Sequence, residues 1–155
     1  KAISNDHTPF QKTIIHAIKK LQNNFSLNEI LVVFPCSIFF KISDLNKALK
    51  ILKLNREKFI ISISNFSHPI QRAYRLKKNK KLDYFFKNNE LKRTQDLEKT
   101  FYDVGQFYLG NYKNWLYKKI HSNAIGIELP KNNTIDIDYL EDWKHAEKIS
   151  RLYQK

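Results

Sequence analysis

Two short apolar runs limit what this chain can fold into. "EILVVFP", Glu29 to Pro35, and "KFIISISNF", Lys58 to Phe66, are rich in β-branched residues and bounded by turn-forming ones. The first is apolar at nearly every position, which reads as a strand buried on both faces and favours a parallel sheet, with Pro35 ending it. Between the runs lies "SDLNKALKILKLN", an amphipathic helix with Ser43 as its expected cap and Leu45, Leu49 and Leu52 facing inward. A second helix precedes them in "HTPFQKTIIHAIKKLQNN". Thr8 is its expected N-cap, Pro9 fits the first turn, and Ile14, Ile15, Ile18 and Leu21 form its apolar stripe. Helix and strand alternating in this order predict an open α/β sheet with helices on both faces.

The pattern changes after the second strand. "SHPIQRAYRLKKNKKLDYFF" reads as two strands joined by a lysine-rich turn around Asn79. "KNNELKRTQDLEKTFYD" is polar and loop-like. A strand is expected over Val104 to Gly110, a short helix in "NYKNWLYKKI", and a strand in "AIGIEL". The last helix is expected to start near Asp138, with Glu141 completing a capping box and Trp143, Ala146, Ile149 and Tyr153 on its buried face. The 155 residues fit one domain. Ligands of open α/β sheets sit beyond the carboxyl ends of strands, here Pro35-Cys36-Ser37, Asn65 to His68, and Asp136 to Asp138.

The net charge of +13 raises nucleic acid as a partner. The lysines are scattered, apart from the cluster around Asn79, and arginine is scarce, so nucleic-acid binding is kept only as an alternative of another class. No run of about 18 apolar residues is present, and no membrane partner is expected. Cys36 is the single cysteine and has no internal disulfide partner, which suits a reducing cytoplasm. The histidines show no metal-ligand spacing, and His16 is expected to be packed.

Side-chain chemistry concentrates in three places. In "NNTIDIDYLEDW", Ile135 and Ile137 alternate with Asp136 and Asp138, so strand geometry puts both carboxylates on one side. They repel unless a cation lies between them, and Mg²⁺ is the hard cation that carboxylates and phosphates hold together. The bland alternative is that Asp138 only caps the last helix. In "SHPIQRAYR" and "KRTQDLE", Arg72 and Arg93 suit bidentate recognition of a carboxylate or phosphate, while Arg75 reads as a flank of the hairpin. Gly105 lies inside a strand and marks either a ligand's close approach or a bulge. With only 3 glycines, the chain holds no glycine loop of the kind that cradles phosphate.

"SNDHTP", "FPCSIF", "FIISISNFSHPIQRAYRL", "KRTQDLEKTFYDVGQFYLG" and "IDIDYLEDWKHAE", in that order and across nearly the whole chain, resemble the acylneuraminate cytidylyltransferase family, in particular its pseudaminic acid branch. The resemblance implies a Rossmann-like nucleotidyltransferase sheet, open and mostly parallel, with an inserted β-hairpin dimerisation arm over about 75–102. It implies transfer of CMP from CTP to a nine-carbon (nonulosonic) sugar acid, with Asp136 and Asp138 holding Mg²⁺ and Gln71, Arg72, Arg93, Gln95, Gly105, Gln106 and Tyr108 on the sugar side. Arg72 joins the two aspartates as a catalytic candidate, a homodimer is implied, and an arm reaching the partner's site would let Arg93 act across it.

There are departures. The sialic acid branch has Gln-Pro-Thr-Ser-Pro where this chain has Phe34-Pro35-Cys36-Ser37-Ile38, Lys where Gln71 stands, and Asn where Val104 stands. These argue against N-acetylneuraminic acid and leave legionaminic acid as an alternative to pseudaminic acid. The family's first strand, with its glycine- and Lys/Arg-rich CTP loop, should precede Lys1, and the chain contains no methionine. The expectation is a piece of a longer protein that does not turn over CTP by itself, or else an inactive relic.

Overall fold

The computed structural model describes residues 7–153, and of Tyr153 the backbone only. In chain order, α1 (Phe10–Leu21), β1 (Glu29–Val33), α2 (Ile42–Leu54) and β2 (Phe59–Asn65) come first. A hairpin of β3 (Tyr74–Leu76) and β4 (Leu82–Tyr84) follows, then β5 (Phe101–Asn111), α3 (Tyr112–Tyr117), β6 (Ala124–Glu128) and α4 (Leu140–Tyr153). The fold is α/β, as expected.

The main sheet has the order β1-β5-β2-β6. The expectation of a mostly parallel sheet needs correction at the level of pairing. β5 is antiparallel to both β1 and β2, and only β2 with β6 is a parallel pair. β1, β2 and β6 still point the same way, because β1 and β2 each oppose β5. The cause lies in the connection. A parallel neighbour needs a crossover to the other end of the sheet. The segment after β2 instead forms the β3–β4 hairpin, a separate two-stranded sheet, so the chain returns as β5 running against β2.

β1 corrects a second expectation. It is an edge strand with alternating burial, not a strand buried on both faces, and Leu31 and Val33 are exposed. β2 is the central strand, and Phe59 to Ser62 are buried in succession. Its two faces carry two cores. On one, Ile60, Phe107, Leu109 and Ile127 pack against Ala48 and Leu52 of α2. On the other, Phe59, Ile61 and Tyr108 pack against Ile18 of α1 and Trp115 of α3. Helices therefore cover both faces, as predicted. Phe59 and Trp115 meet edge-to-face with ring centroids 5.2 Å apart, and Trp115 Nε1 donates to the Ile30 carbonyl at 3.2 Å. Such a ring pair contributes about 0.5–1.5 kcal/mol beyond its buried area. Gly110 exists for this contact, since a Cβ there would lie 2.7 Å from the Phe59 ring.

The helix ends differ from the sequence reading. α1 follows Pro9, its N-cap position, rather than Thr8, and Leu21 and His16 are exposed. α2 starts after Lys41, so Ser43 lies inside its first turn, and Leu49 is exposed where Ala48 is buried. At the start of α4 the carboxylate that reaches back belongs to Asp142, not Glu141. Its Oδ2 accepts from the backbone N–H of Tyr139 at 2.8 Å and of Asp138 at 3.2 Å. Ala146 is the buried residue of α4's expected inner face, while Trp143 is exposed and the Tyr153 side chain lies outside the described residues.

The lysine turn matches its reading. Lys77 N–H donates to the Lys81 carbonyl at 2.9 Å, Lys80 takes φ 61°, and Asn79 accepts from Lys81 N–H at 3.2 Å. Among the described residues no helix is long and apolar enough to cross a membrane.

Candidate active site

Because β1, β2 and β6 run the same way, their carboxyl ends share one edge of the sheet. β5 runs against them and begins at that edge. The topology thus gathers Pro35 to Ser37, Asn65 to His68, the start of β5, and the loop after β6. Hydrogen bonds confirm it. Ser37 Oγ donates to the Gln106 carbonyl at 3.1 Å, and Lys131 Nζ donates to Ser67 Oγ at 3.0 Å.

The start of β5 is a wide bulge. Ile61 pairs with Tyr108 and Ile63 with Asp103, so Ser62 alone faces the residues 104–107. Gly105 sits in this bulge at φ 70° with nothing within 4 Å of where a Cβ would be. The conformation calls for glycine and a close neighbour does not, so the bulge reading of Gly105 holds. Ser62 is fully buried and fills the gap in the ladder. Its Oγ accepts from Gln106 N–H at 3.1 Å and Phe107 N–H at 3.2 Å, and donates to the Phe107 carbonyl at 3.3 Å.

Asp103 braces the bulge. Its Oδ1 accepts from Gly105 N–H at 2.9 Å, its Oδ2 accepts from the Tyr108 hydroxyl at 2.7 Å, and His121 Nδ1 lies 3.9 Å from Oδ2. Burial, then the bond to Asp103, pushes the Tyr108 phenol well above its ordinary range, so it stays a neutral donor. Its ring packs against Phe10 and Phe34 with centroids 5.1 and 5.7 Å away.

Asp136 and Asp138 lie in an extended loop after a turn at Lys131–Asn133, not in a strand as expected. The alternation survives, with Ile135 and Ile137 half-buried and both aspartates exposed. Partial burial, then the charge of Asp138, raises the Asp136 carboxyl above the usual range. Among the described residues no three His, Cys, Asp or Glu side chains surround one point. A cation here would rest on two carboxylates and on oxygens brought by a substrate, a donor set that fits Mg²⁺, and its charge would relieve the repulsion that raises Asp136.

The Arg and Gln candidates fall elsewhere. Arg72 donates to the backbone carbonyls of Glu90, at 3.0 Å, and Lys92, and its Nε is buried without a hydrogen-bond partner. Gln71 donates to the Glu98 carbonyl at 3.0 Å. Both clamp the segment after the hairpin. Arg93 pairs with Asp96 at 2.8 Å on the surface. Gln95 lines a pocket of about 290 Å³ together with Asn65, Ser67, Thr94, Lys99 and Thr100. Gln106 is inside the fold, 1% exposed, and its amide donates to the Asn133 carbonyl. The bulge brings Gly105, Gln106 and Tyr108 together, and the charge of Asp136 acts on Tyr108. Of the other four, Gln95 lines the pocket and Gln71 meets it through the carbonyl of Glu98 in its wall, while Arg72 and Arg93 are not among its lining residues.

Sequence reasoning passed over Ser62, Asp103 and Asn133. For Ser62 the signal was present: a hydroxyl inside "FIISISN" must find a buried partner.

Two pseudaminic acid cytidylyltransferases of Campylobacter jejuni, from serotypes O:23/36 and O:2, are each 30% identical to this chain over 157 residues. Each match covers 98% of the chain and 67% of the relative. The chain belongs to the acylneuraminate cytidylyltransferase family. It is a nucleotidyltransferase. No protein-family model matches it.

Proposed function

We propose that this cytidylyltransferase transfers CMP from CTP to a nine-carbon sugar acid, with pseudaminic acid as its substrate. The anomeric oxygen would form a bond to the α-phosphorus, the bond to the β-phosphate oxygen would break, and pyrophosphate would leave while the hydroxyl proton passes to a base. The observation that supports the reading is the convergence of the β5 bulge, Tyr108 and the Asp136–Asp138 loop at one sheet edge in a chain 30% identical to two pseudaminic acid cytidylyltransferases. Asp136 and Asp138 would hold Mg²⁺, which when bound supplies charge neutralisation to the triphosphate.

The chain's own groups do the positioning. Tyr108, a neutral phenol fixed by Asp103, and the bulge shape one wall. Gln95 offers an amide beside Lys99 in the pocket under the hairpin segment, where a cationic side chain suits a sugar carboxylate. The hairpin segment exposes Leu76, Leu82, Phe85 and Leu91, an apolar surface that fits a second copy of the chain.

Pyrophosphate release by the full gene product, with CTP and each of pseudaminic, legionaminic and N-acetylneuraminic acid, tests the reading. Turnover is expected with pseudaminic acid and Mg²⁺. Asp136→Asn and Asp138→Asn should each lower kcat by about 10²-fold or more, the scale of losing a charge-stabilising group. Normal rates in both variants would remove the metal assignment, and preference for another sugar acid would remove the substrate.

A further inference from the structure

The Gln106 side chain is buried at 1% exposure in the β5 bulge, its Nε2 donates to the Asn133 carbonyl, and its Oε1 has no hydrogen-bond partner. An amide is expensive to bury, and one with an idle oxygen more so. An apolar side chain would fill this space without that cost. What the amide does is join two parts of the sheet edge that are remote in sequence.

Asn133 ends the Lys131–Asn133 turn, three residues before Asp136. Two backbone bonds of that turn are local: Asn133 N–H to the Pro130 carbonyl at 2.8 Å and Thr134 N–H to the Lys131 carbonyl at 3.0 Å. They shape the turn. Lys131 Nζ ties its exposed side to Ser67 Oγ at 3.0 Å. Gln106 ties it to the β5 bulge from inside, and the backbone of Gln106 is held from both sides. Ser62 Oγ accepts from its N–H, while Ser37 Oγ and Phe34 N–H, at 3.1 and 3.2 Å, donate to its carbonyl. The strap thus starts from one of the most constrained backbone positions at this edge.

We propose that Gln106 is a positioning residue: its buried amide fixes the Asn133 turn to the β5 bulge and so sets where Asp136 and Asp138 stand relative to Tyr108. Gln106 itself does not touch substrate. The role rests on the proposed function only for what the aspartates hold.

Hydrogen exchange and metal binding test the two parts separately. Gln106→Met and Gln106→Glu keep the length of the side chain and remove the donor. In either, amides of residues 131–138 should exchange about tenfold faster, the scale of one buried hydrogen bond, while β2 and β6 exchange as in the wild type. Unchanged exchange in that segment, or acceleration spread evenly over the sheet, overturns the proposal. If neither variant folds, the wild type decides: the Gln106 side-chain amide protons should be strongly protected in NMR exchange, and exchange at the rate of free amides overturns it. Mn²⁺ binding, followed by electron paramagnetic resonance, should weaken about tenfold in Gln106→Met and vanish in Asp136→Asn. A folded Gln106→Met that binds Mn²⁺ with wild-type affinity overturns the positioning role. A wild type that binds no Mn²⁺ removes the metal reading instead and leaves Gln106 to the exchange result.

Discussion

Asp136 is a residue at odds with its surroundings. Burial and the neighbouring charge of Asp138 both disfavour its ionised form, so its carboxyl sits above the ordinary range. A carboxyl raised in the folded state binds more protons than in the unfolded chain. Its cost to stability is therefore fully present above the raised folded value and disappears as pH falls below the ordinary carboxylate range. Asp136→Asn is expected to raise the metal-free melting temperature slightly at neutral pH, and the gain should shrink to nothing near pH 3, as thermal melts of both proteins across pH would show. A residue that destabilises the empty protein yet fits a cation is a functional candidate on physical grounds. The alternation that exposed it was legible in "IDID". What holds its loop was not: the resemblance put Gln106 on the sugar side, and its burial against Asn133 depends on which segments arrive from far along the chain.

The element that shapes the site is the bulge of β5. Ser62→Ala would strand the N–H groups of Gln106 and Phe107 and remove the donor to the Phe107 carbonyl. The expected loss is about 2–3 kcal/mol in chemical denaturation, since buried groups without partners cost about 1–3 kcal/mol each. A loss below about 0.5 kcal/mol would mean the bulge holds itself. The hairpin was legible because turn chemistry is local: Lys77 to Lys81 and Asn79 carry it within a few residues. The status of β1 was not. Its alternate residues are apolar whether the strand is central or at the edge, and only pairing decides which of them meet solvent.

For the whole molecule, the +13 charge opposes close approach of two copies, while the exposed apolar residues of the hairpin segment favour it. Leu91 is 96% exposed. If this surface joins two copies, sedimentation should show a dimer that tightens as salt screens the repulsion, and Leu82→Asp with Leu91→Asp should leave a folded monomer. A basic nucleic-acid module would behave oppositely, losing its partner steeply with salt. A monomer at all salt concentrations would remove the dimerisation role of the segment.

By itself the sequence determined the local features: amphipathic helices, β-branched strands, the lysine turn and the aspartate pair, each encoded within a dozen residues by periodicity or turn chemistry. The ordered motifs also carried the family. The tertiary structure alone decided that β5 enters the sheet against its neighbours, that Arg72 clamps a loop, and that Gln106 is an internal strap. Strand order and burial are set by contacts between segments far apart in the chain, and no local pattern records them.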